Sequence, residues 1–196
     1  MRILFLFILL INPICAKANI DQKKLKIIED FLSDMTSLEA DMTMDIISEN
    51  ENTNPEHYLG KIWLDRKLGL LRINYGKNFM VAKKGTLKVV QENEKEQEYS
   101  TEDTPAGILL QPKIDFEKEG IIVKSLTEVD DLIQLFLVYD SPAGSIPITM
   151  YFRPKPVMVL MGWAIQNPNQ SITNVYLNPE KTHMSIKIDS SIFKIK

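Results

Sequence analysis

The segments Gly60-Lys-Ile-Trp-Leu-Asp-Arg66 and Leu71-Arg-Ile-Asn-Tyr75 predict the two strands of an antiparallel hairpin. Apolar and polar residues alternate along both segments, which is the pattern of strands with one dry face. Ile62 and Leu64 fall together on that face of the first strand. The hairpin therefore needs an apolar layer to pack against, and the rest of the chain is interpreted around it.

Arg66 lies where this hairpin turns and has two possible interpretations. A guanidinium carries five N–H donors and stays charged in proteins, so an inward-facing arginine needs acceptors such as carbonyls or carboxylates. A turn arginine in solvent needs none, and most arginines are exposed. The local sequence leaves both interpretations open.

The same alternation recurs along most of the chain. It is clearest over residues 38–46, and it continues through short segments as far as residue 195. Near the end, Thr173–Leu177 and Met184–Ile188 are predicted as separate strands with a turn at Asn178-Pro179-Glu180, and a last strand begins at Ile192. The total is about ten or eleven strands, joined mostly in up-and-down antiparallel order.

Two segments have helical character. Residues 21–36 place apolar side chains three and four apart, as in an amphipathic helix. At Thr104-Pro105 a helix cap and a first-turn proline precede three consecutive aliphatics, Ile108, Leu109 and Leu110. The predicted class is α+β and mainly β, with an antiparallel sheet covered by helices on one face.

The N-terminus has the features of a secretory signal peptide. Arg2 precedes a short apolar run, and Ala16-Lys17-Ala18 fits a cleavage site after Ala18. The run is shorter than the ~20 residues of a membrane span. The predicted mature chain, 19–196, has 178 residues and forms a single exported domain. Cys15 lacks the small residues and leucine that normally precede an acylated cysteine, so release rather than lipid anchoring is expected.

Composition and motifs exclude several function classes. The mature chain would carry 21 Lys and Arg against 26 Asp and Glu, and a net charge of −5 argues against nucleic-acid binding. No Gly-x-Ser-x-Gly, Walker-type loop or His-Glu-x-x-His occurs. His57 and His183 are too few for a histidine zinc site, and Asp130-Asp131 is interpreted as a hairpin turn. We expect no enzyme, no metal and no cofactor.

The apolar inventory is rich in methionine and aromatic residues. Methionine is unbranched and repacks around irregular partners, so these side chains could line a cavity for variable apolar cargo. They could equally fill an ordinary core. Composition alone does not choose between a cavity and a core.

Several segments together resemble the LolA family of periplasmic outer-membrane lipoprotein carriers. They are the hairpin segments 60–66 and 71–75, Thr104-Pro105 before the three aliphatics, Leu160-Met-Gly-Trp163, and Ser171-Ile-Thr-Asn-Val-Tyr-Leu177. They occur in order from the first helix to the C-terminal Phe193. One departure is Lys67, which stands where the family usually has proline.

The resemblance implies an open antiparallel half-barrel with a helical lid on its concave face and a cavity for lipoprotein acyl chains. Arg66 matches an arginine that holds the lid closed, and Ile108, Leu109 and Leu110 belong to the lid. The implied partners are lipoproteins, an inner-membrane ABC transporter and an outer-membrane receptor, with the carrier itself monomeric. The expected cavity residues are Phe31, Met35, Met42, Met44, Ile62, Leu64, Leu71, Ile73, Tyr75, Met80, Phe136, Met150, Phe152 and Trp163.

Two alternatives share this fold. An outer-membrane acceptor of the same pathway would be lipid-anchored, which for this chain requires an acylated Cys15. A periplasmic sensing module would recognise lipoproteins without moving them. A hydrolase is disfavoured because the common catalytic motifs are missing from the sequence.

Overall fold

The computed structural model describes residues 20–48 and 54–194. The signal-peptide and Cys15 predictions fall outside these residues. Two α-helices, α1 (Gln22–Asp34) and α2 (Ala106–Leu109), accompany eleven strands in the described chain. The strands are β1 (Ser37–Ile47), β2 (Glu56–Asp65), β3 (Leu70–Tyr75), β4 (Asn78–Lys83), β5 (Thr86–Val90), β6 (Gln97–Ser100), β7 (Ile121–Val129), β8 (Leu132–Ser141), β9 (Gly144–Arg153), β10 (Val159–Gln166) and β11 (Ile172–Met184).

All eleven strands form one antiparallel sheet in the order β6-β5-β4-β3-β2-β1-β11-β10-β9-β8-β7. Two meanders, β1 to β6 and β7 to β11, are joined by the pairing of β1 with β11. The edge strands β6 and β7 do not pair with each other, so the sheet stays open. This confirms the predicted open antiparallel sheet with few helices.

The hairpin predicted from segments 60–66 and 71–75 forms, with β2 and β3 paired antiparallel. Ile62 lies opposite Ile73, and the same row continues to Ala40 on β1 and Met80 on β4. Side chains at alternate positions share one face of a strand, so these residues define the inner face of the sheet. The row is apolar throughout, which explains why the inner face requires a cover.

Helix α1 provides most of that cover. Its N-terminus is capped by Asp21, whose carboxylate accepts a hydrogen bond from the Lys24 amide at 3.1 Å. Leu25, Ile28 and Leu32 recur at helical spacing, are buried, and belong to the same apolar cluster as the inner face. No helix in the described ranges has the length and hydropathy needed to cross a membrane.

Gly162 permits a bulge in β10. Its φ is +146°, and a Cβ at this position would lie 2.0 Å from the Val175 carbonyl oxygen. The pairing of β10 with β9 shifts register at the same place, between Leu160 and Gly162. The bulge lets Leu160 and Trp163 both be buried although they are an odd number of residues apart.

The predicted ending of the sheet is wrong in two respects. Residues 172–184 form one long strand, and Asn178-Pro179-Glu180 is a bulge within it rather than a turn between strands. Asn178 stabilises the bulge, since its side chain accepts from the Glu180 amide and its carbonyl accepts from the Thr182 hydroxyl. The last predicted strand is instead a 3₁₀ turn over Ser190–Phe193, with residue 195 outside the described chain.

This C-terminal segment packs on the outer face of the sheet. Ile188 and Phe193 bury against Leu70 of β3, with Trp63 partly buried beside them. Arg72 donates hydrogen bonds to the carbonyls of residues 192 and 194, each at 3.1 Å. The outer face thus carries a second, smaller apolar cluster, separate from the inner layer.

We expect the stability of the protein to fall as pH rises from about 10 to about 12, and Tyr75 to cause part of that fall. Burial raises the pKa of Tyr75 from 10.0 to about 12. In that interval the unfolded phenol loses its proton while the folded one keeps it, so alkali favours the unfolded state. Urea unfolding at pH 9 and pH 11 measures the slope. Tyr75→Phe should show a shallower slope than the wild type, and an equal slope would contradict the assignment.

Candidate functional site

The inner face and the two helices enclose one apolar layer. Of the predicted cavity residues, eleven are buried members of this layer: Met35, Met42, Met44, Ile62, Leu64, Leu71, Ile73, Tyr75, Met150, Phe152 and Trp163. Phe31 and Met80 are partly buried against it. The Phe31 ring meets the Phe152 ring edge-on with centroids 6.2 Å apart, which joins α1 to the sheet.

The prediction for Phe136 is wrong. Leu135 and Leu137 are fully buried in the inner layer, and Phe136 between them points to the outer face, where it is only half-buried. The sequence of β8 is apolar on both sides, so the phase of its alternation is ambiguous. Leu135 and Leu137 were not among the predicted cavity residues, because Phe136 and Val138 make the other face of β8 apolar as well.

Arg66 is buried, with 4% of its surface exposed. Its Nε donates to the Leu109 carbonyl of α2 at 2.8 Å, and its Nη1 donates to the Leu32 carbonyl of α1. The Arg66 backbone amide donates to the Thr36 carbonyl at 3.0 Å, in the link between α1 and β1. Of the two interpretations left open by the sequence, the structure therefore has the inward-facing arginine with carbonyl acceptors.

Both side-chain acceptors lie at helix ends. The last four carbonyls of an α-helix have no partner within the helix, and Leu32 provides one of them in α1, as Leu109 does in α2. The last turn of α1 contains no basic residue of its own. Arg66 supplies a cation there, where the helix dipole favours positive charge. Burial lowers the pKa of Arg66 to about 10, so the guanidinium is charged at neutral pH.

Helix α2 lies over the end of the inner layer. Ile108 is buried, and Leu109 and Leu110 are partly buried against the apolar cluster. The predicted cap differs, because Thr104 donates its hydroxyl to the Thr101 carbonyl and Pro105 occupies the N-cap position without a side-chain hydrogen bond. The Tyr139 hydroxyl donates to the Glu102 carbonyl at 2.7 Å and so joins this segment to β8.

A small apolar cavity of about 20 Å³ lies between α2 and strands β9 and β10. Ile108 and Leu109 form its helix side, and Met150, Trp163 and Ile165 form much of its sheet side. The volume is close to that of a single water molecule. This cavity is too small for a chain-like ligand, so admitting one between α2 and these strands requires them to separate.

The titratable residues that the sequence singled out lie elsewhere. His57 is exposed, and its Nδ1 lies 2.6 Å from an Asp45 carboxylate oxygen on the outer face. His183 is exposed on β11. Across residues 20–48 and 54–194, no three His, Cys, Asp or Glu side chains gather as metal ligands. Asp130 and Asp131 occupy the β7–β8 turn, as the sequence predicts.

A similar architecture occurs among solved structures, whereas comparisons of sequence find no match. No protein-family model matches the sequence. No curated protein matches it either. Among solved structures, a LolA-superfamily protein from Nitrosomonas europaea aligns with a TM-score of 0.50 over 87% of this chain and 97% of that chain, at 6% identity. The chain has a LolA-like fold.

Two further solved structures align less well. A DUF1329-family protein from Desulfovibrio piger gives a TM-score of 0.49 at 9% identity, over 87% of this chain and 95% of that one. The lipoprotein LppX from Mycobacterium tuberculosis gives 0.39 at 9% identity, over 86% and 98%. At such identities the first similarity shows the fold alone. The family resemblance seen in the sequence is thus supported for its architecture, and the carrier role is a separate question.

Proposed function

We propose that this protein is a periplasmic carrier that binds the acyl chains of lipoproteins between its inner face and its two helices. One observation carries the proposal: a single buried guanidinium, that of Arg66, holds the C-terminal ends of both covering helices through backbone carbonyls. Those bonds can break and re-form without disturbing the strand ladder. The cover is therefore built to separate from a sheet that stays intact.

A soluble carrier of acyl chains needs a cover that can close over its empty site. Burying a CH₂ group contributes ~0.8 kcal/mol, so an acyl chain has roughly 10 kcal/mol of preference for a dry site. An inner layer that stayed open without cargo would expose a large apolar surface to water. A cover that closes over the empty site avoids this exposure, and its opening makes binding depend on the state of the helices.

The proposed route runs from an inner-membrane ABC transporter to an outer-membrane receptor. The N-terminal sequence supports export with cleavage after Ala18, and the acidic balance of the mature chain is compatible with a monomer that does not adsorb to anionic lipid. We propose binding and transfer without catalysis. Energy for loading would come from the transporter, because this sequence contains no Walker-type nucleotide motif.

Depletion of the protein in its own cells should make lipoproteins accumulate at the inner membrane. Membrane fractionation with detection of several lipoproteins measures this, and restoring the gene is the control. Lipoprotein or acyl lipid should also co-purify with the wild-type protein and be identified by mass spectrometry. Unchanged sorting after depletion would favour the sensing module, and an acylated Cys15 at the mature N-terminus would favour the anchored acceptor.

A further inference from the structure

The segment between α2 and β7, residues 111–118, contains no helix or strand but buries two side chains. Ile114 is 1% exposed and Phe116 is 3% exposed, whereas Asp115 between them and the residues on either side face solvent. Both belong to the apolar cluster of the inner layer. This segment, called the strap below, therefore places two apolar side chains in the layer from an otherwise polar stretch of chain.

Helix α1 holds the strap through two of its polar side chains. A Glu29 carboxylate oxygen accepts a hydrogen bond from the Phe116 amide at 2.8 Å. The Ser33 hydroxyl accepts from the Ile114 amide at 3.1 Å and lies 3.4 Å from the Ile114 carbonyl. Glu29 and Ser33 are four residues apart and so share one face of α1. Glu29 is itself buried, and its charge strengthens the bond to the strap.

These contacts are independent of Arg66. Arg66 donates to the carbonyls of Leu32 and Leu109. The strap amides donate instead to side chains of α1. The strap is not a strand of the sheet, which ends on this side at β7. Lifting the strap thus requires its hydrogen bonds to Glu29 and Ser33 to break and leaves the strand pairing unchanged.

We propose that Ile114 and Phe116 occupy a subsite for a single saturated acyl chain, and that the cargo displaces them. The inference rests on the proposed function and identifies where in the inner layer the chain enters. The subsite lies beside α1, and Ile114 and Phe116 belong to the same apolar cluster as the buried aliphatic side chains of β7 and β8, among them Ile121, Leu135 and Leu137. A linear, apolar ligand without polar groups matches what the two side chains now supply.

Hydrogen exchange measured with and without palmitate, a saturated sixteen-carbon fatty acid, tests the displacement. With palmitate bound, the amides of Ile114 and Phe116 should exchange at least tenfold faster, because their acceptors on α1 are lost. Amides in the strand ladder of β8 and β9 serve as the internal reference and should keep their protection. Unchanged protection of both strap amides in the palmitate complex would overturn the proposal.

The double variant Glu29→Ala, Ser33→Ala tests the competition. Without the hydrogen bonds from Glu29 and Ser33 the strap should be displaced more easily, and palmitate should bind about tenfold more tightly. Asp30→Ala is the matched control, because Asp30 is the exposed neighbour of Glu29 and pairs with Lys26 at 3.0 Å. Its palmitate affinity should equal that of the wild type.

The outcomes separate the two proposals. Equal palmitate binding by the wild type and the double variant, with the strap protected in both complexes, would overturn the subsite and leave the carrier function standing. Failure of the wild type, the double variant and Asp30→Ala to bind palmitate or a triacylated lipopeptide would overturn the carrier function, and the subsite with it. Tighter binding by the double variant alone, with exposed strap amides, supports both.

Discussion

Replacing Phe152 with alanine lowers the free energy of unfolding by about 3–5 kcal/mol, the usual range for truncating a fully buried phenylalanine. Phe152 has no exposed surface, and its ring meets that of Phe31 on α1. The substitution leaves a cavity at the junction of sheet and helix and removes the aromatic contact. Urea unfolding followed by circular dichroism measures the change.

Phe136→Ala is the matched control, since it removes the same side chain from the neighbouring strand. Phe136 is half-buried on the outer face, so its truncation should cost no more than about 1 kcal/mol. A cost equal to that of Phe152→Ala would mean that the faces of β8 are assigned the wrong way round. The pair therefore tests the correction made to the sequence-based cavity as well as the inner layer itself.

Most of the fold could be predicted from alternation alone. Alternation is clear over residues 60–65 of β2 apart from Trp63, 71–75 of β3 and 145–153 of β9, and each strand buries the face that this pattern indicates. In β8 both faces are apolar, so the alternation does not indicate which face is buried. The predicted position of Phe136 in the cavity is therefore on the wrong side of the strand. A period-2 signal determines the face of a strand only when the other face is polar.

The C-terminal region shows a second limit. Asn-Pro is a strong turn signal, yet Asn178-Pro179 lies in a bulge because β11 must remain paired with β1 on both sides of it. Leu38 and Ala40 pair beyond the bulge, and Met42 and Met44 pair before it. This pairing joins residues that are far apart in sequence, so no local pattern could distinguish the bulge from a turn.

The site was harder to predict than the fold for the same reason. The acceptors of Arg66 lie 34 and 43 residues away in sequence, and they are backbone carbonyls, which have no sequence signature. Charged residues surround Ile114 and Phe116 in the strap, so its composition indicates a polar connection. The alternation of Ile114 and Phe116 with acidic residues was the available signal, but a two-residue pattern is too short to be decisive.

The contacts made by Arg66 and those made by the strap both involve helix α1. Arg66 joins α1 to α2, and Glu29 and Ser33 join α1 to the strap, so α1 is the element common to both sets of contacts. A movement of α1 would weaken both sets at once, while the eleven strands stay paired. The proposed opening of the inner layer would therefore require α1 to move and no strand pair to separate.

Arg66→Leu should leave the fold intact and weaken closure of the two helices. The substitution leaves the carbonyls of Leu32 and Leu109 without their donor, and a hydrogen bond to a charged group contributes about 1.5–3 kcal/mol. Relief of the buried charge offsets part of this loss, the more so because Arg66 Nη2 has no acceptor among the described residues. We expect the free energy of closure to fall by about 2 kcal/mol. The open population, and with it amide exchange through this opening, should then rise roughly 30-fold.

Amide exchange at Met35 and Leu110 reports this opening, because their amides bond within the C-terminal turns of α1 and α2. Under the proposed carrier function, the same variant should also transfer lipoprotein less efficiently, since its two helices would no longer be held over the inner layer by Arg66. Arg66→Lys keeps the charge but lacks the planar fork that reaches two carbonyls, so it should lie between Arg66→Leu and the wild type. Lys67→Ala changes the exposed neighbour and should behave as the wild type. Wild-type exchange and wild-type transfer in Arg66→Leu would remove Arg66 from the mechanism, because two helix ends held by one side chain cannot lose it without loosening.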